Sequence, residues 1–320
     1  MLGGKDFVTF IADVPKGSER RVQCPVEDET SPRKWFTHEK SSTYRAPEYV
    51  PTPGRIIAVF STKGGVGKTF VATNLAVLIA RRTSGHTVLV DADLKSADVG
   101  LHLDLEAPNS VVDVVPYAEH VDLRILEEYA VVHRPSGLRI LLGPPTPETA
   151  NLILPCHFEQ LLRNLSQVCR ICIVDMSTDI TCQVTVKCLE CATDLVLVVT
   201  QDAAALRQTK ILLYILQNYL GLSEKNTYFV LNRYRADAYI KKTQIEQFLR
   251  HKMTVCIPDE STKVDASVFQ GTPVVTQQVQ SIVRPLEELA DMFAPRNVSD
   301  SSLKRRTMPV LEMVGRLFRT

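Results

Sequence analysis

Residues 61–70, which read STKGGVGKTF, carry the clearest chemical signature in the chain. They contain three closely spaced glycines, Gly64, Gly65 and Gly67. Glycine adopts backbone angles that are closed to other residues, so the N–H groups of such a loop can approach phosphate oxygens. Lys68 would lie along the β- and γ-phosphates of a nucleotide, and the hydroxyl of Thr69 would reach Mg²⁺. The stretch therefore predicts a site for a nucleoside triphosphate and Mg²⁺.

The segments on either side supply the setting that such a loop requires. An apolar run, RIIAVFS, precedes it, and the helical pattern TFVATNLAVLIARR follows. A strand that leads through glycines into a helix places the positive end of the helix against the phosphates. A strict phosphate-binding loop has glycine where Thr62 stands, so this loop is a variant of the pattern.

The same alternation of strand and helix continues through the middle of the chain. Apolar runs typical of buried strands are RIIAVFS, TVLVDAD, LRILLG, ICIVDM, LVLVVT, YFVLN and TVCIP. Helices are predicted at 68–83, 157–168, 204–219, 243–251 and 284–293. Near-continuous apolar strands joined by helices predict an α/β fold, with a mainly parallel sheet covered by helices on both faces. Ligands of such sheets bind beyond the carboxyl ends of the strands.

Composition divides the chain into three parts. Residues 1–53 mix charge, proline and serine without a period and predict a flexible arm, 54–295 form the predicted domain, and 296–320 hold a polar linker and a short terminal segment. The net charge of +1 over 320 residues gives no general reason to expect nucleic acid. The chain lacks a spanning apolar run and a secretion signal, so we expect a cytoplasmic protein with reduced cysteines.

Four cysteines have the formal spacing of a zinc site. Cys169, Cys172, Cys188 and Cys191 read C-x2-C-x15-C-x2-C. Residues three apart on a strand point to opposite faces, so we expect that Cys169 and Cys172 do not share one ion. Small buried thiols are the favoured interpretation, and a zinc site is the alternative.

Several stretches, taken in order, resemble the deviant-Walker ATPases of the MinD/ParA type. They are KGGVGKT, VDADL, IVDMS, FVLNRY and CIPDESTKVDASVFQGTPVV. The resemblance covers roughly Arg55 to Ala294. Within it, SADVGLHLDL and HRPSGLRILLGPP are closest to the CpaE/TadZ branch, which positions pilus and secretion machinery. The resemblance implies a P-loop NTPase domain with ATP and Mg²⁺ as cofactors, and it implies ATPase activity, which we expect to be weak.

The resemblance also gives a role to the second lysine of the loop, Lys63. In this family such a lysine reaches across a homodimer to the partner's phosphates, so that two ATP molecules lie between the subunits. We expect Lys63 and Lys68 to act in catalysis together with Asp93 of VDADL, which matches the carboxylate that orients the attacking water. Asp202 matches an acid at the dimer interface, whereas Asp91 is expected to be structural or to lie behind the residues that contact the ligand.

The rest of the nucleotide site follows from the same resemblance. Asp175 would hold Mg²⁺ through water, together with Thr69. The residues expected to bind the nucleotide are Lys63, Gly64, Gly65, Val66, Gly67, Lys68, Thr69, Phe70, Asn232, Arg233, Pro258 and Asp259. Phe70 stands where the family has a hydroxyl near the α-phosphate, and Ser177 replaces a proline. Both changes leave the groups around the β- and γ-phosphates intact, so we expect ATP binding together with slow hydrolysis.

The terminal sequence PVLEMVGRLFRT predicts an amphipathic helix. Its apolar arc is formed by Val310, Leu311, Met313, Val314, Leu317 and Phe318. Basic residues at 304–306 precede it in a polar tether, and the position matches the membrane-targeting helix of MinD-type proteins. We expect this helix to bind a membrane surface. The alternative is that it packs on the protein's own domain or on a partner.

Three functions compete at this point. The first is an ATP-dependent, dimerising switch ATPase, peripheral at the inner face of the cell membrane, that positions a division septum, pilus or secretion apparatus with a protein partner. The second is a DNA-partitioning ATPase of the ParA kind. Its only hints are the basic residues at 241–242 and 250–252, for which solvated helix faces are the commoner explanation. The third is a nucleotide-locked scaffold with little hydrolysis, which Phe70 and Ser177 favour.

Overall fold

The computed structural model describes residues 53–220, 227–277 and 279–296. These residues form an eight-stranded sheet in the order β3-β4-β2-β5-β1-β6-β7-β8. The strands are β1 (Arg55–Phe60), β2 (Thr87–Ala92), β3 (Val131–His133), β4 (Leu138–Leu141), β5 (Ile171–Met176), β6 (Asp194–Val199), β7 (Thr227–Tyr234) and β8 (Val255–Pro258). All neighbouring strands pair in parallel except β3, which pairs antiparallel with β4.

Helices connect the strands and cover the sheet. They are α1 (Lys68–Arg82), α2 (Val99–Leu103), α3 (Val111–Val114), α4 (Leu123–Tyr129), α5 (Pro147–Ala150), α6 (Pro155–Val168), α7 (Gln183–Cys191), α8 (Ala203–Ile215), α9 (Lys242–Leu249), α10 (Ser261–Phe269) and α11 (Gln280–Asp291). Two 3₁₀ segments, Val115–His120 and Val274–Thr276, and a π-helical turn, Leu216–Leu220, complete the described elements.

The apolar strands are buried because each face of the sheet packs on its own hydrophobic core. In β1, Ile56 and Phe60 belong to one core, whereas Ile57 and Val59 belong to the other. Alternate side chains point to opposite faces of a strand, so a strand covered on both sides must be apolar throughout. The predicted α/β fold with a mainly parallel sheet is confirmed.

Some elements differ from the sequence prediction. The edge strand β3 was not predicted, since three residues are too few to establish a period of two. Helix α11 begins at Gln280, four residues before the predicted start, and carries Pro285 in its interior. Its buried apolar residues hold the helix on the core on both sides of the proline. Packing therefore outweighs the hydrogen bond that proline cannot make.

The central strands bring the functional segments to one edge of the sheet. Residues 61–67 leave the carboxyl end of β1, which lies between β5 and β6. Asp91 of β2 pairs in register with Asp175 of β5, near the carboxyl ends of both strands. At the opposite end of β1, the guanidinium of Arg55 lies 4.9 Å from the ring of Phe293, which ties the segment after α11 to the sheet.

Candidate functional site

The loop between β1 and α1 has the left-handed backbone that the glycine pattern predicts. Gly65 has φ of 75° and Gly67 has φ of 90°, and Gly67 is the residue that precedes the first turn of α1. Gly67 has no side chain with which to cap that end of α1. The first N–H groups of the helix can therefore bind an anion, assisted by the helix dipole.

Asn232, near the end of β7, holds this loop in place. Its side-chain nitrogen donates to the carbonyl oxygen of Val66 at 2.7 Å, and the residue is buried. A Cβ atom on Gly67 would overlap the same nitrogen. Asn232, expected from the sequence to bind the nucleotide, thus contacts the loop that would hold the phosphates.

Lys68 lies among carboxylates at the start of α1. Its ammonium is 3.3 Å from Oδ1 of Asp175 and 3.6 Å from Oδ2 of Asp93. Lys68 and Asp175 are buried, whereas Asp93 is 17% exposed. Lys68 and Asp93, predicted to act in catalysis, and Asp175, predicted to hold Mg²⁺, are therefore adjacent in the structure although each comes from a different segment.

The cluster has more negative than positive charge. Burial, followed by the charge of Asp175, raises the pKa of Asp91 well above its ordinary value. Burial also raises the pKa of Asp175, and Lys68 and the hydroxyl of Thr69 oppose that rise. Removing charged groups from water is costly unless an opposite charge compensates. The site is therefore suited to a ligand that brings a cation.

Magnesium fits the donor set of this cluster. Oδ2 of Asp175 is buried and makes no hydrogen bond to the described residues. Carboxylate and hydroxyl oxygens, such as those of Asp175 and Thr69, are the ligands that Mg²⁺ prefers, usually together with water and substrate phosphates. Within the described residues, no group of three or more His, Cys, Asp or Glu side chains is placed to bind a metal directly. A nucleotide and water would have to supply the other ligands.

Lys63, the other lysine of the loop, faces an open cleft. Its ammonium lies 2.9 Å from Oδ1 of Asp202 in the same chain, and both side chains are nearly half exposed. Asp202 also caps α8 by accepting from the N–H of Ala205 at 2.8 Å. The cleft has a volume of about 610 Å³ and is lined by Lys63, Gly64, Gly65, Val66, Thr200, Gln201, Asp202, Arg233, Arg235, Asp237, Ala238 and Tyr239.

The remaining residues predicted to bind the nucleotide lie around the ends of β7 and β8. Arg233 lines the cleft of Lys63 and has a left-handed backbone, with φ of 51°. Backbone strain of this kind in a residue other than glycine is often found at functional sites. Pro258 ends β8, and the N–H of Asp259 donates to the carbonyl of Tyr234 at 3.0 Å. Neither Pro258 nor Asp259 lines that cleft.

The two departures from the family pattern have structural roles. The Phe70 side chain is buried in the core formed by α1 and the sheet, and its carbonyl accepts from the side chain of Asn74 at 2.9 Å. The hydroxyl of Ser177 accepts from the N–H of Asp179 at 3.3 Å, just after β5. Phe70 therefore contributes packing where a hydroxyl was expected near the phosphates.

The structure corrects one argument about the cysteines. Cys169 lies between α6 and β5, outside the regular strand, and its thiol belongs to the same core as that of Cys172. Contact with Cys169, together with burial, raises the pKa of the Cys172 thiol. The expectation that these two side chains face opposite sides of the sheet was wrong, because the alternation of a strand does not extend to Cys169.

Other predicted features lie outside the described residues. These are the membrane-binding residues 310–318 and nearly all of the predicted arm 1–53. Among the helices that the structure describes, none is long and apolar enough to cross a membrane.

Comparison with known proteins agrees with this geometry. Residues 57–272 match the family model described as the CobQ/CobB/MinD/ParA nucleotide binding domain. The septum site-determining protein MinD of Thermotoga maritima is 26% identical over 246 residues, which are 74% of this chain and 87% of that protein.

Two solved structures have a similar fold. The ParA family ATPase from Chlorobium tepidum TLS gives a TM-score of 0.68 at 23% identity, over 74% of this chain and 98% of that one. MinD from Pyrococcus horikoshii OT3, solved in complex with Mg-ADP, gives 0.65 at 21% identity, over 80% of this chain and 100% of that one. With its variant phosphate loop, its lysine–carboxylate cluster and a family match over most of the domain, the chain belongs to the CobQ/CobB/MinD/ParA family of P-loop nucleotide-binding domains.

Proposed function

We propose that this protein is an ATP-dependent, dimerising switch ATPase that positions a cellular machine at the inner face of the cell membrane. The observation that carries the proposal is the grouping of Lys68 with Asp93 and Asp175 beside the glycine loop. The relatives named above, which include a septum site-determining protein, support a positioning role. The branch within the family and the machine that is positioned, whether septum, pilus or secretion apparatus, belong to the proposal.

Each residue of the cluster has a separate task in this mechanism. The N–H groups of residues 64–69 bind the phosphate oxygens, and Lys68 moves from the carboxylates to the β- and γ-phosphates. Asp93, which is partly exposed, orients the attacking water. Thr69, and Asp175 through water, would hold Mg²⁺, which when bound would neutralise part of the phosphate charge. Asn232 keeps the loop in its phosphate-binding conformation through Val66.

Dimerisation would bring a second cation to each nucleotide. Lys63 is partly exposed in the cleft, and its ion pair to Asp202 is exposed, so it can be released at small cost. In the proposed dimer it reaches the phosphates bound by the partner, where added positive charge stabilises both the dimer and the transition state. Loss of the γ-phosphate would weaken this bridge and separate the subunits.

The nucleotide site is tested by measuring Mg·ATP binding and hydrolysis in three variants. Lys68→Ala should abolish nucleotide binding while the circular dichroism spectrum stays unchanged. Asp93→Ala should bind ATP and lose hydrolysis. Lys187→Ala is the matched control, because this lysine pairs with Glu190 on α7, outside the cluster. Retained ATP affinity in Lys68→Ala would refute the site, and equal turnover in wild type and Asp93→Ala would favour the scaffold function.

The membrane part of the proposal depends on residues 304–320, which lie outside the described residues. Their amphipathic pattern and basic tether suit a helix in a membrane interface, and two copies in a dimer would gain avidity. Deleting 304–320, or introducing Leu317→Glu, should abolish ATP-dependent binding to anionic liposomes without affecting dimerisation. Thr320→Glu is the control, because it adds the same charge outside the apolar arc. Liposome binding by the truncated protein would exclude this helix as the anchor.

A DNA-partitioning function remains the alternative, and the structure offers it little support. Lys242 and Lys252 both pair with Glu246, at 3.9 and 3.3 Å, and Lys241 donates to the carbonyl of Ala236. Cations engaged in this way contribute less to a basic surface for phosphates. Co-sedimentation with DNA in ATP and in ADP, at two salt concentrations, distinguishes this function from membrane binding.

A further inference from the structure

Asp91 is a buried carboxylate that the proposed mechanism does not use. It lies near the end of β2, is fully buried, and is adjacent to Asp175 in the sheet. We propose that Asp91 is a positioning residue that closes the loop carrying Asp93, and so controls ATP hydrolysis without contacting the nucleotide. This inference rests on the proposed ATPase function and assigns a control element to the same site.

The two oxygens of Asp91 hold the two ends of one loop. Oδ1 accepts from the N–H of Asp93 at 3.1 Å, and Oδ2 accepts from the N–H of Val99 at 3.2 Å. Asp93 begins the loop. Val99 begins α2, and the side chain of Val99 is anchored in the core. The position of Asp93 relative to Lys68 therefore depends on a clamp made by one side chain.

Only a carboxylate makes this clamp complete. Both backbone groups are donors, so both side-chain atoms that meet them must be acceptors. Asparagine, with nearly the same shape, would turn an NH₂ group toward one of the two N–H groups and lose that hydrogen bond. A carboxyl group meets both donors, although burial and the charge of Asp175 both raise its pKa.

The loop that Asp91 closes is tightly wound. The carbonyl of Asp93 accepts from the N–H groups of Ser96 and Ala97, at 3.1 and 2.9 Å. Ala97 has φ of 47°, a left-handed conformation that costs an alanine about 1 kcal/mol or more. A strained loop persists only when its surroundings hold it, and the two hydrogen bonds to Asp91 supply that restraint at its ends.

Gly143, just after β4, supports the clamp from the other side. A Cβ atom on Gly143 would lie 2.7 Å from the Cβ of Ala97 and 3.1 Å from the carboxyl carbon of Asp91. Real Cβ atoms do not approach to 2.7 Å, so an alanine at this position must displace the loop at Ala97, and its contact with the carboxyl group of Asp91 would also be tight. Gly143→Ala therefore perturbs the same clamp without removing either hydrogen-bonding atom of Asp91.

The test compares hydrolysis with binding in the full-length protein. Asp91→Asn and Gly143→Ala should lower single-turnover hydrolysis of Mg·ATP about 10-fold or more, with affinity for a non-hydrolysable ATP analogue within about 3-fold of wild type. Asp122→Asn is the matched control, because Asp122 also accepts from two backbone N–H groups, those of Arg124 and Ile125, but does so at the start of α4. Its hydrolysis should equal that of wild type.

The outcomes separate this inference from the proposed function. If Asp91→Asn and Gly143→Ala hydrolyse ATP at the wild-type rate, the clamp does not control Asp93 and the inference is wrong. If hydrolysis and analogue affinity fall in parallel, Asp91 supports the whole pocket and the positioning role is also wrong. Should Asp91→Asn fail to fold, Gly143→Ala decides alone. Failure of the wild-type protein to bind or hydrolyse ATP would instead refute the proposed function.

Discussion

Replacing Asp202 by asparagine tests where Lys63 is held before dimerisation. In the single chain, Lys63 pairs with Asp202 at 2.9 Å, and this contact is the main reason that the pKa of Asp202 is lowered. In the proposed dimer, Lys63 would have to leave that carboxylate before it could reach the partner's phosphates. Asparagine caps a helix as well as aspartate does, so Asp202→Asn removes the charge while keeping the cap of α8. We therefore expect the variant to dimerise more tightly with ATP.

The size of the effect follows from the exposure of the pair. Ion pairs between exposed side chains contribute about 0.2–1 kcal/mol, and a symmetric dimer releases two of them. The ATP dimer should therefore gain about 0.4–2 kcal/mol, which lowers its Kd about 2- to 30-fold. Salt screens exposed charges, so the gain should shrink as ionic strength rises.

Sedimentation velocity with Mg·ATP measures this Kd, in a background of Asp93→Ala that prevents hydrolysis. Asp237→Asn is the control, because Asp237 lines the same cleft and pairs with Arg235 instead of Lys63. If Asp202→Asn weakens the dimer, Asp202 contacts the partner, and its ion pair with Lys63 does not restrain dimerisation. If the control tightens the dimer equally, the effect is general charge repulsion in the cleft.

Three further predictions concern single side chains. Phe70→Thr should lower the free energy of unfolding by about 3 kcal/mol in chemical denaturation, because it empties part of a buried core; a loss below about 1 kcal/mol would contradict that packing. Gly67→Ala should reduce ATP affinity about 10-fold or more with an unchanged circular dichroism spectrum, since its Cβ would overlap Asn232; wild-type affinity would show that the loop adapts. Burial, followed by the charge of Lys68, lowers the pKa of His102 to about 4. As the pH falls from 6.5 to 4, the unfolded chain therefore binds a proton that the folded chain does not bind. The free energy of unfolding should decrease by up to about 3 kcal/mol over that range. His102→Gln should flatten this pH dependence of unfolding, and an unaltered profile would assign it to other groups.

The sequence predicted the parts of the site that depend on local pattern. The glycine spacing predicted the left-handed turns of the loop, and apolar runs predicted the parallel strands whose ends carry Asp91 and Asp175. These features follow from backbone sterics and from burial on both faces of a sheet, so a short window of sequence is sufficient to identify them.

Contacts between distant segments could not be read in the same way. Asn232 is 166 positions from Val66, and Lys63 is 139 positions from Asp202, so no local period links them. The direction of the Cys169 side chain was predicted wrongly because Cys169 lies just before the strand begins. Strand ends are the least certain part of a pattern, and a shift of one residue reverses the face on which a side chain is placed.

The affinity of this protein for ATP should depend on magnesium for two reasons. Magnesium neutralises the nucleotide, and it should also compensate a buried charge of the protein. In the proposed mechanism, Lys68 leaves the buried Asp175 when it moves to the phosphates, and Oδ2 of Asp175 has no hydrogen bond to the described residues. An uncompensated buried charge costs about 3–5 kcal/mol, so removing Mg²⁺ should weaken ATP binding about 100-fold or more. Calorimetric titration with ATP, in Mg²⁺ and in EDTA, measures this ratio. Magnesium also neutralises the nucleotide itself, and Asp175→Asn isolates the protein's share because it removes the buried charge. If the magnesium dependence of ATP binding is equal in wild type and Asp175→Asn, Mg²⁺ does not replace Lys68 as the cation that compensates Asp175.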